Sequence, residues 1–187
     1  MNKVTFFIYI RISKKVYMKT IFELRSVIKL NPQEVNSCIS YIAKQKIDFD
    51  VYLESKSMNL QRDFVWSIDQ KRELIFSVLL RRHIPRMAMI NTVDDVYQII
   101  DGKQRLSTMI DFYNNKFDII LEGEKYYYED LPEDYKIAIS RFMFPYYIVN
   151  EESDDIISDE EKINWFMFIN FAGTPQDSEH FIKLKNI

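Results

Sequence analysis

Five consecutive residues combine the side chains that bind phosphate groups in proteins. Positions 101–105 read Asp-Gly-Lys-Gln-Arg and follow an apolar run. The Asp-Gly pair favours a sharp turn, because Asp bonds the backbone just ahead of it and Gly tolerates positive φ. A helix that begins after the turn presents free backbone N–H groups and a positive dipole end beside Lys103 and Arg105, which predicts a phosphate site. The alternative is an ordinary strand-to-helix turn with a solvated lysine and arginine.

The sequence on both sides of this turn predicts the elements that hold it. Apolar residues at 96–100 predict a buried strand, paired with a second strand at 87–90 through a polar turn at 91–95. After the turn, apolar residues recur at helical spacing as far as the two asparagines at 114–115. The predicted helix therefore packs on the sheet and keeps its first turn in a fixed place.

A second polar segment, at residues 59–67, precedes another predicted helix. Ser67 and Gln70 have the spacing of a capping box, in which each side chain bonds the backbone of the other residue. Arg62 is thus expected in a loop, where its side chain is free to reach a neighbouring site. Trp66 comes directly before the cap and is expected to pack the helix against the core.

The remaining elements are predicted from periodicity and turn signals. They are a helix at 32–45, a strand at 49–53, a hairpin about residues 122–124, a helix from 133, a strand at 145–149 and a helix from 159 that ends at Gly173. Cys38 falls on the apolar face of the first helix, which predicts a buried, inert thiol. The acidic segment at 151–161 lacks ligand periodicity and is predicted to be a solvated loop rather than a metal site.

Composition limits the class of protein. With 187 residues, 47% of them hydrophobic, the chain is long and apolar enough for one folded domain. The net charge of −3 means that any nucleic-acid contact needs a local basic patch. One cysteine excludes an internal disulfide, no apolar stretch predicts a membrane span, and we expect a cytoplasmic protein. Residues 1–19 are expected to be an extension or an extra strand before a domain at 20–187, and Met1 and Met18 are both candidates for the translation start.

Three ordered motifs resemble the N-terminal domain of GmrSD-type modification-dependent restriction proteins. That family usually has Asp-Gly-Gln-Gln-Arg, an upstream Gln-Arg-x-x-x-Trp element and a downstream Asn-x-x-Gly segment. Here Lys103 replaces the first Gln of the central motif. The resemblance covers about residues 50 to 180, and its matched positions are Gln61, Arg62 and Trp66, then Asp101, Gly102, Gln104 and Arg105, then Asn170 and Gly173.

The resemblance implies both a fold and a site. The family is similar in fold to ParB and sulfiredoxin, so it implies an α+β domain with a small mixed sheet and packed helices. It implies a nucleoside triphosphate ligand, with Mg²⁺ as a possible second one. Asp101 and Arg105 become the catalytic candidates, and Asp101 also the candidate metal ligand. The cofactor-binding candidates are Gln61, Arg62, Gly102, Lys103, Gln104, Arg105 and Asn170.

Two functional classes stay open. The first is a stand-alone nucleotide-binding domain, with or without hydrolysis, linked to DNA targeting or restriction-type defence. Its expected partners are a nucleotide, DNA and a separate nuclease or defence-system protein. The second is a catalytically inactive regulator or decoy of the same fold that binds DNA or protein. Relatives often carry an HNH nuclease domain, which the two histidines His83 and His180 do not supply, so we expect the domain without it.

Overall fold

The computed structural model of the protein describes residues 10–12, 15–17 and 30–171. In chain order its strands are β1 (Ile10–Ile12), β2 (Lys15–Tyr17), β3 (Gln33–Cys38), β4 (Lys46–Asp48), β5 (Tyr52–Leu53), β6 (Met58–Asn59), β7 (Met87–Asn91), β8 (Val96–Asp101), β9 (Ile119–Leu121), β10 (Glu124–Tyr126) and β11 (Met143–Asn150). Its α-helices are α1 (Ile39–Ile42), α2 (Ile68–Leu79), α3 (Lys103–Tyr113), α4 (Glu133–Ser140) and α5 (Asp159–Phe171). Among the described residues, no helix has the length and apolar character needed to cross a membrane.

Five of the strands form one mixed sheet in the order β3-β11-β7-β8-β4. In it, β11 runs antiparallel to β3 and parallel to β7, β7 runs antiparallel to β8, and β8 runs parallel to β4. The β7–β8 hairpin is the predicted pair of strands. A small mixed sheet with packed helices confirms the predicted α+β class.

Both faces of the sheet are covered, because alternate residues of β7 enter two different cores. Met87 and Met89 pack with residues of α1 to α4 on one face, whereas Ala88 and Ile90 pack with α5 and the segment around β5 and β6 on the other. All four side chains are at most 1% exposed. The sheet is therefore rigid at the end of β8, where Asp101 lies.

Local signals set the ends of the helices near this point. The predicted capping box is present at the start of α2, where Ser67 Oγ accepts from Gln70 N–H at 3.3 Å and Gln70 Oε1 accepts from Ser67 N–H at 2.9 Å. The predicted end of α3 is also confirmed. Asn115 adopts a φ of 58° and, with Lys116, closes a Schellman motif on the last turn.

The helix predicted at residues 32–45 is wrong over most of its length. Residues Gln33–Cys38 form β3, and only Ile39–Ile42 are helical. Backbone pairing with β11 along a sheet edge overrides the weak helical preference of a short segment. Cys38 is consequently partly exposed instead of buried, and its hydrogen bond with Ser40 lowers the pKa of its thiol.

The strand predicted at residues 49–53 is reduced to Tyr52–Leu53. After β4 the chain turns, because Asp48 Oδ1 accepts from the backbone N–H groups of Asp50 and Val51, each at 3.0 Å. Val51 then takes a φ of 49°, which no strand uses. Asp50 is left on an exposed turn, from which its carboxylate reaches the first residue of α3.

Candidate functional site

One glycine makes the turn between β8 and α3. Asp101 is the last residue of the strand and Lys103 the first of the helix, so Gly102 alone reverses the chain with a φ of +98°. A Cβ at this position would lie 2.5 Å from Cγ of Met87, which is far inside contact distance. The geometry therefore requires glycine, as the Asp-Gly turn predicted.

A cavity of about 100 Å³ lies at this turn. Its lining comes from three segments that are distant in sequence: the loop before α2, the start of α3, and α5. The lining residues are Gln61, Arg62, Trp66, Asp101, Gly102, Lys103, Gln104, Arg105 and Phe166. The structure thus brings together every predicted binding residue except Asn170.

Gln61 and Arg62 differ in how they are held. Gln61 Nε2 donates a hydrogen bond to the backbone oxygen of Ile99 in β8, which attaches the loop to the sheet. Arg62 is exposed and makes neither a hydrogen bond nor an ion pair with any residue that the structure describes. Its guanidinium is a cation at the cavity, and none of its donors is used by the described part of the chain.

Asp101 and Arg105 form an ion pair one helical turn apart. Arg105 Nη2 lies 2.7 Å from Asp101 Oδ2 and also donates to the backbone oxygen of Arg86 at 3.2 Å. Both side chains are mostly buried, with 20% of Arg105 and 16% of Asp101 exposed. The Nε atom of Arg105 is buried and has no hydrogen-bond partner among the residues that the structure describes. Arg105 therefore lines the cavity and also has one buried donor that no described residue satisfies.

Lys103 is already paired. Its Nζ donates to Asp50 Oδ1 at 2.7 Å, and only 8% of the lysine side chain is exposed, against 62% of the aspartate. The lysine that replaces the usual Gln of the motif thus anchors the turn after β4. Nothing in the sequence pattern identified Asp50, because the pair joins residues 53 positions apart.

Gln104 bonds the loop before α2 instead of facing solvent. Its Oε1 accepts from the N–H groups of Val65 at 3.0 Å and Trp66 at 3.3 Å, and its Nε2 donates to the backbone oxygen of Asp63 at 3.1 Å. Trp66 packs against the core on the α2 side of the sheet. The loop that carries Arg62 is therefore attached to the first turn of α3.

Asn170 lies away from the cavity. Its Nδ2 donates to the backbone oxygen of Phe166 at 2.8 Å, one turn earlier in α5. Phe166, which the apolar pattern placed inside, lines the cavity and is 3% exposed. In the described part of the chain, Asn170 is therefore connected to the site through its own helix, and Gly173 lies outside the described residues.

No ready-made metal site is found in the described ranges, where no three His, Cys, Asp or Glu residues are grouped to hold an ion. Of the described residues that line the cavity, Asp101 alone has a carboxylate, and Arg105 occupies its Oδ2. Mg²⁺ commonly binds one or two carboxylates and takes its other ligands from water and substrate phosphates. The residues present thus fit Mg²⁺ only together with a phosphate ligand.

The chain matches a known protein family. The model of a family described as GmrSD restriction endonuclease, N-terminal domain, matches residues 39–186. This segment contains all three of the ordered motifs. No curated protein and no solved structure matches the chain significantly, so the likeness in fold to ParB and sulfiredoxin stays a prediction.

Proposed function

The chain belongs to the family of GmrSD restriction endonuclease N-terminal domains, and we propose that the cavity at the start of α3 binds the phosphate groups of a nucleoside triphosphate. The family associates the chain with restriction-type defence. We further propose that nucleotide binding serves DNA targeting in the cytoplasm, together with a separate nuclease or defence-system protein. DNA and that protein are the proposed partners.

The observation that carries this proposal is a pair of arginines with unused donors at one cavity. Arg62 has no partner among the described residues, and the Nε–H of Arg105 is buried and unsatisfied. A buried donor without an acceptor costs about 1–3 kcal/mol, which an anionic oxygen would recover. The backbone N–H groups in the first turn of α3 have no intrahelical acceptor either, and the helix dipole favours an anion there.

The size of the cavity decides which part of a nucleotide it encloses. Sites that enclose a whole small-molecule ligand usually have roughly 300–1,000 Å³, whereas this cavity has about 100 Å³. It therefore holds phosphate groups, and the sugar and base extend outside it. The phosphate site therefore does not recognise the base.

Arg62 provides the first test of the phosphate site. We expect Arg62→Ala to weaken binding of labelled ATP, GTP or CTP at least about tenfold, the equivalent of about 1.4 kcal/mol, because a charged donor is lost. The melting temperature should not change, since Arg62 supports no described contact. Arg141→Ala is the matched control, because Arg141 is also exposed and does not line the cavity. Equal affinities of the two variants would remove Arg62 from the site.

Asp101 provides a test of the proposed Mg²⁺ role. Its Oδ1 has no hydrogen-bond partner among the described residues and is the atom that would reach a metal bound to the phosphates. We expect wild-type protein to bind the nucleotide more tightly with Mg²⁺ than with EDTA, and Asp101→Asn to lose that difference. Titrations of both proteins in the two buffers measure it. An unchanged Mg²⁺ response in the variant would exclude Asp101 as a ligand.

A specific observation also favours a second candidate, a regulator or decoy that binds without hydrolysis. All three charged residues of the central motif are used in ion pairs, Lys103 with Asp50 and Asp101 with Arg105. Neither aspartate is placed as an unpaired general base. A phosphate-release assay on protein with bound nucleotide separates the candidates, since release above the rate of the Arg62→Ala variant would require an enzyme.

A further inference from the structure

We propose that Gln104 is a positioning residue that clamps the loop at residues 61–67 and thereby holds Arg62 at the cavity. This inference rests on the proposed phosphate site and specifies how the site is assembled. The motif resemblance assigns Gln104 to ligand binding, whereas its contacts in the structure are with the protein backbone. Arg62 would contact the ligand, and Gln104 would act through Arg62.

The hydrogen-bonding capacity of Gln104 is nearly used up by the loop. A glutamine amide has two acceptor sites on its oxygen and two N–H donors. Both acceptor sites are taken, by the N–H groups of Val65 and Trp66, and one donor is taken by the carbonyl of Asp63. This pattern also fixes which amide atom is which, because a reversed amide would set its NH₂ against two backbone donors. Only one N–H is left for any ligand.

The clamp lies on one side of Arg62, and a second attachment lies on the other. Gln61, directly before Arg62, is bonded to the backbone oxygen of Ile99 in β8. Asp63, directly after it, is bonded to Gln104 in α3. Arg62 is therefore a single free residue between two fixed neighbours, although its own side chain has no described partner.

This arrangement lowers the conformational entropy that is lost when Arg62 contacts a phosphate ligand. Ordering a residue's backbone costs conformational entropy, and a loop that is already ordered before binding does not lose that entropy when the ligand arrives. A mobile loop would spread Arg62 over many positions and weaken its contact with an anion. Loss of the clamp should therefore reduce affinity even though Gln104 touches no ligand.

The test uses Gln104→Met, which keeps the length of the side chain and removes its hydrogen bonds. Amide hydrogen exchange should accelerate at Val65 and Trp66, whose N–H groups lose their acceptor, but not at Leu60, whose N–H bonds the backbone oxygen of Val51. Affinity for inorganic tripolyphosphate, measured by calorimetry, should fall about tenfold, as in Arg62→Ala. The double variant Arg62→Ala/Gln104→Met should bind no more weakly than either single variant, because both changes remove the same contact.

The matched control is Gln45→Met, since Gln45 Nε2 also bonds a backbone carbonyl but does not line the cavity. It should alter neither exchange at Val65 nor affinity. Unchanged exchange at Val65 and Trp66 in Gln104→Met would overturn the clamp, and fully additive losses with Arg62→Ala would show that Gln104 contacts the ligand itself. If wild-type protein binds no tripolyphosphate and no nucleotide, the proposed function fails, while the exchange comparison still decides whether Gln104 fixes the loop.

Discussion

Replacing Gly102 with alanine is expected to lower the free energy of unfolding by about 2–5 kcal/mol, the sum of a steric and a backbone penalty. The new Cβ would lie 2.5 Å from Cγ and 2.9 Å from Cβ of Met87. Met87 is 1% exposed within a packed core, so it has little room to move aside. The backbone adds its own cost, because φ is +98° at this position. Equilibrium unfolding in urea measures the loss.

The second turn glycine, Gly123, separates the two penalties. Its φ of +87° is similar, but nothing lies within 4 Å of the place that a Cβ would occupy. Gly123→Ala should therefore lose only about 1–2 kcal/mol, the backbone cost alone. If Gly102→Ala were no less stable than Gly123→Ala, the contact with Met87 would not be the reason that position 102 is glycine.

The parts of the site that depend on local chemistry could be predicted from the sequence. The turn at Gly102 follows from the Asp-Gly pair, the start of α2 follows from its capping box, and the end of α3 follows from Asn115. Each of these signals involves residues only a few positions apart. The resemblance added that the loop at 61–67 and the turn belong together, and the shared cavity agrees with it.

The pairing of charges could not be predicted in the same way. The sequence shows Lys103 as a cation at the start of a helix, which predicts a phosphate contact. Its partner Asp50, however, is positioned by a turn after β4 that no sequence motif predicts. The positive φ of Val51 in that turn runs against its β-branched side chain. Long-range contacts of this kind, like the pairing of β3 with β11, depend on the tertiary fold instead of on spacing.

Arg105→Ala is expected to reduce both the stability of the fold and the affinity for nucleotide, because Arg105 supports the fold and also lines the proposed phosphate site. It neutralises Asp101 and bonds the carbonyl of Arg86. Breaking a fully buried pair costs about 3–5 kcal/mol, but these side chains are 20% and 16% exposed, so a loss of about 1–3 kcal/mol is expected. Nucleotide affinity should fall by about 10- to 100-fold, since a charged donor is worth about 1.5–3 kcal/mol.

A second substitution distinguishes the role of Arg105 in the fold from its role in phosphate binding. In Arg105→Ala, the carboxylate of Asp101 is left without its partner in a mostly buried position, and Asp101→Asn removes that charge. The double variant Asp101→Asn/Arg105→Ala should therefore regain much of the lost stability, because the stranded charge is gone. It should not regain affinity, because the guanidinium that would meet the phosphate is still absent. Urea unfolding and nucleotide titration on the wild type, both single variants and the double variant give the full cycle. Recovery of affinity together with stability would mean that Arg105 only supports the fold, and the phosphate site would then depend on Arg62 and the backbone of α3.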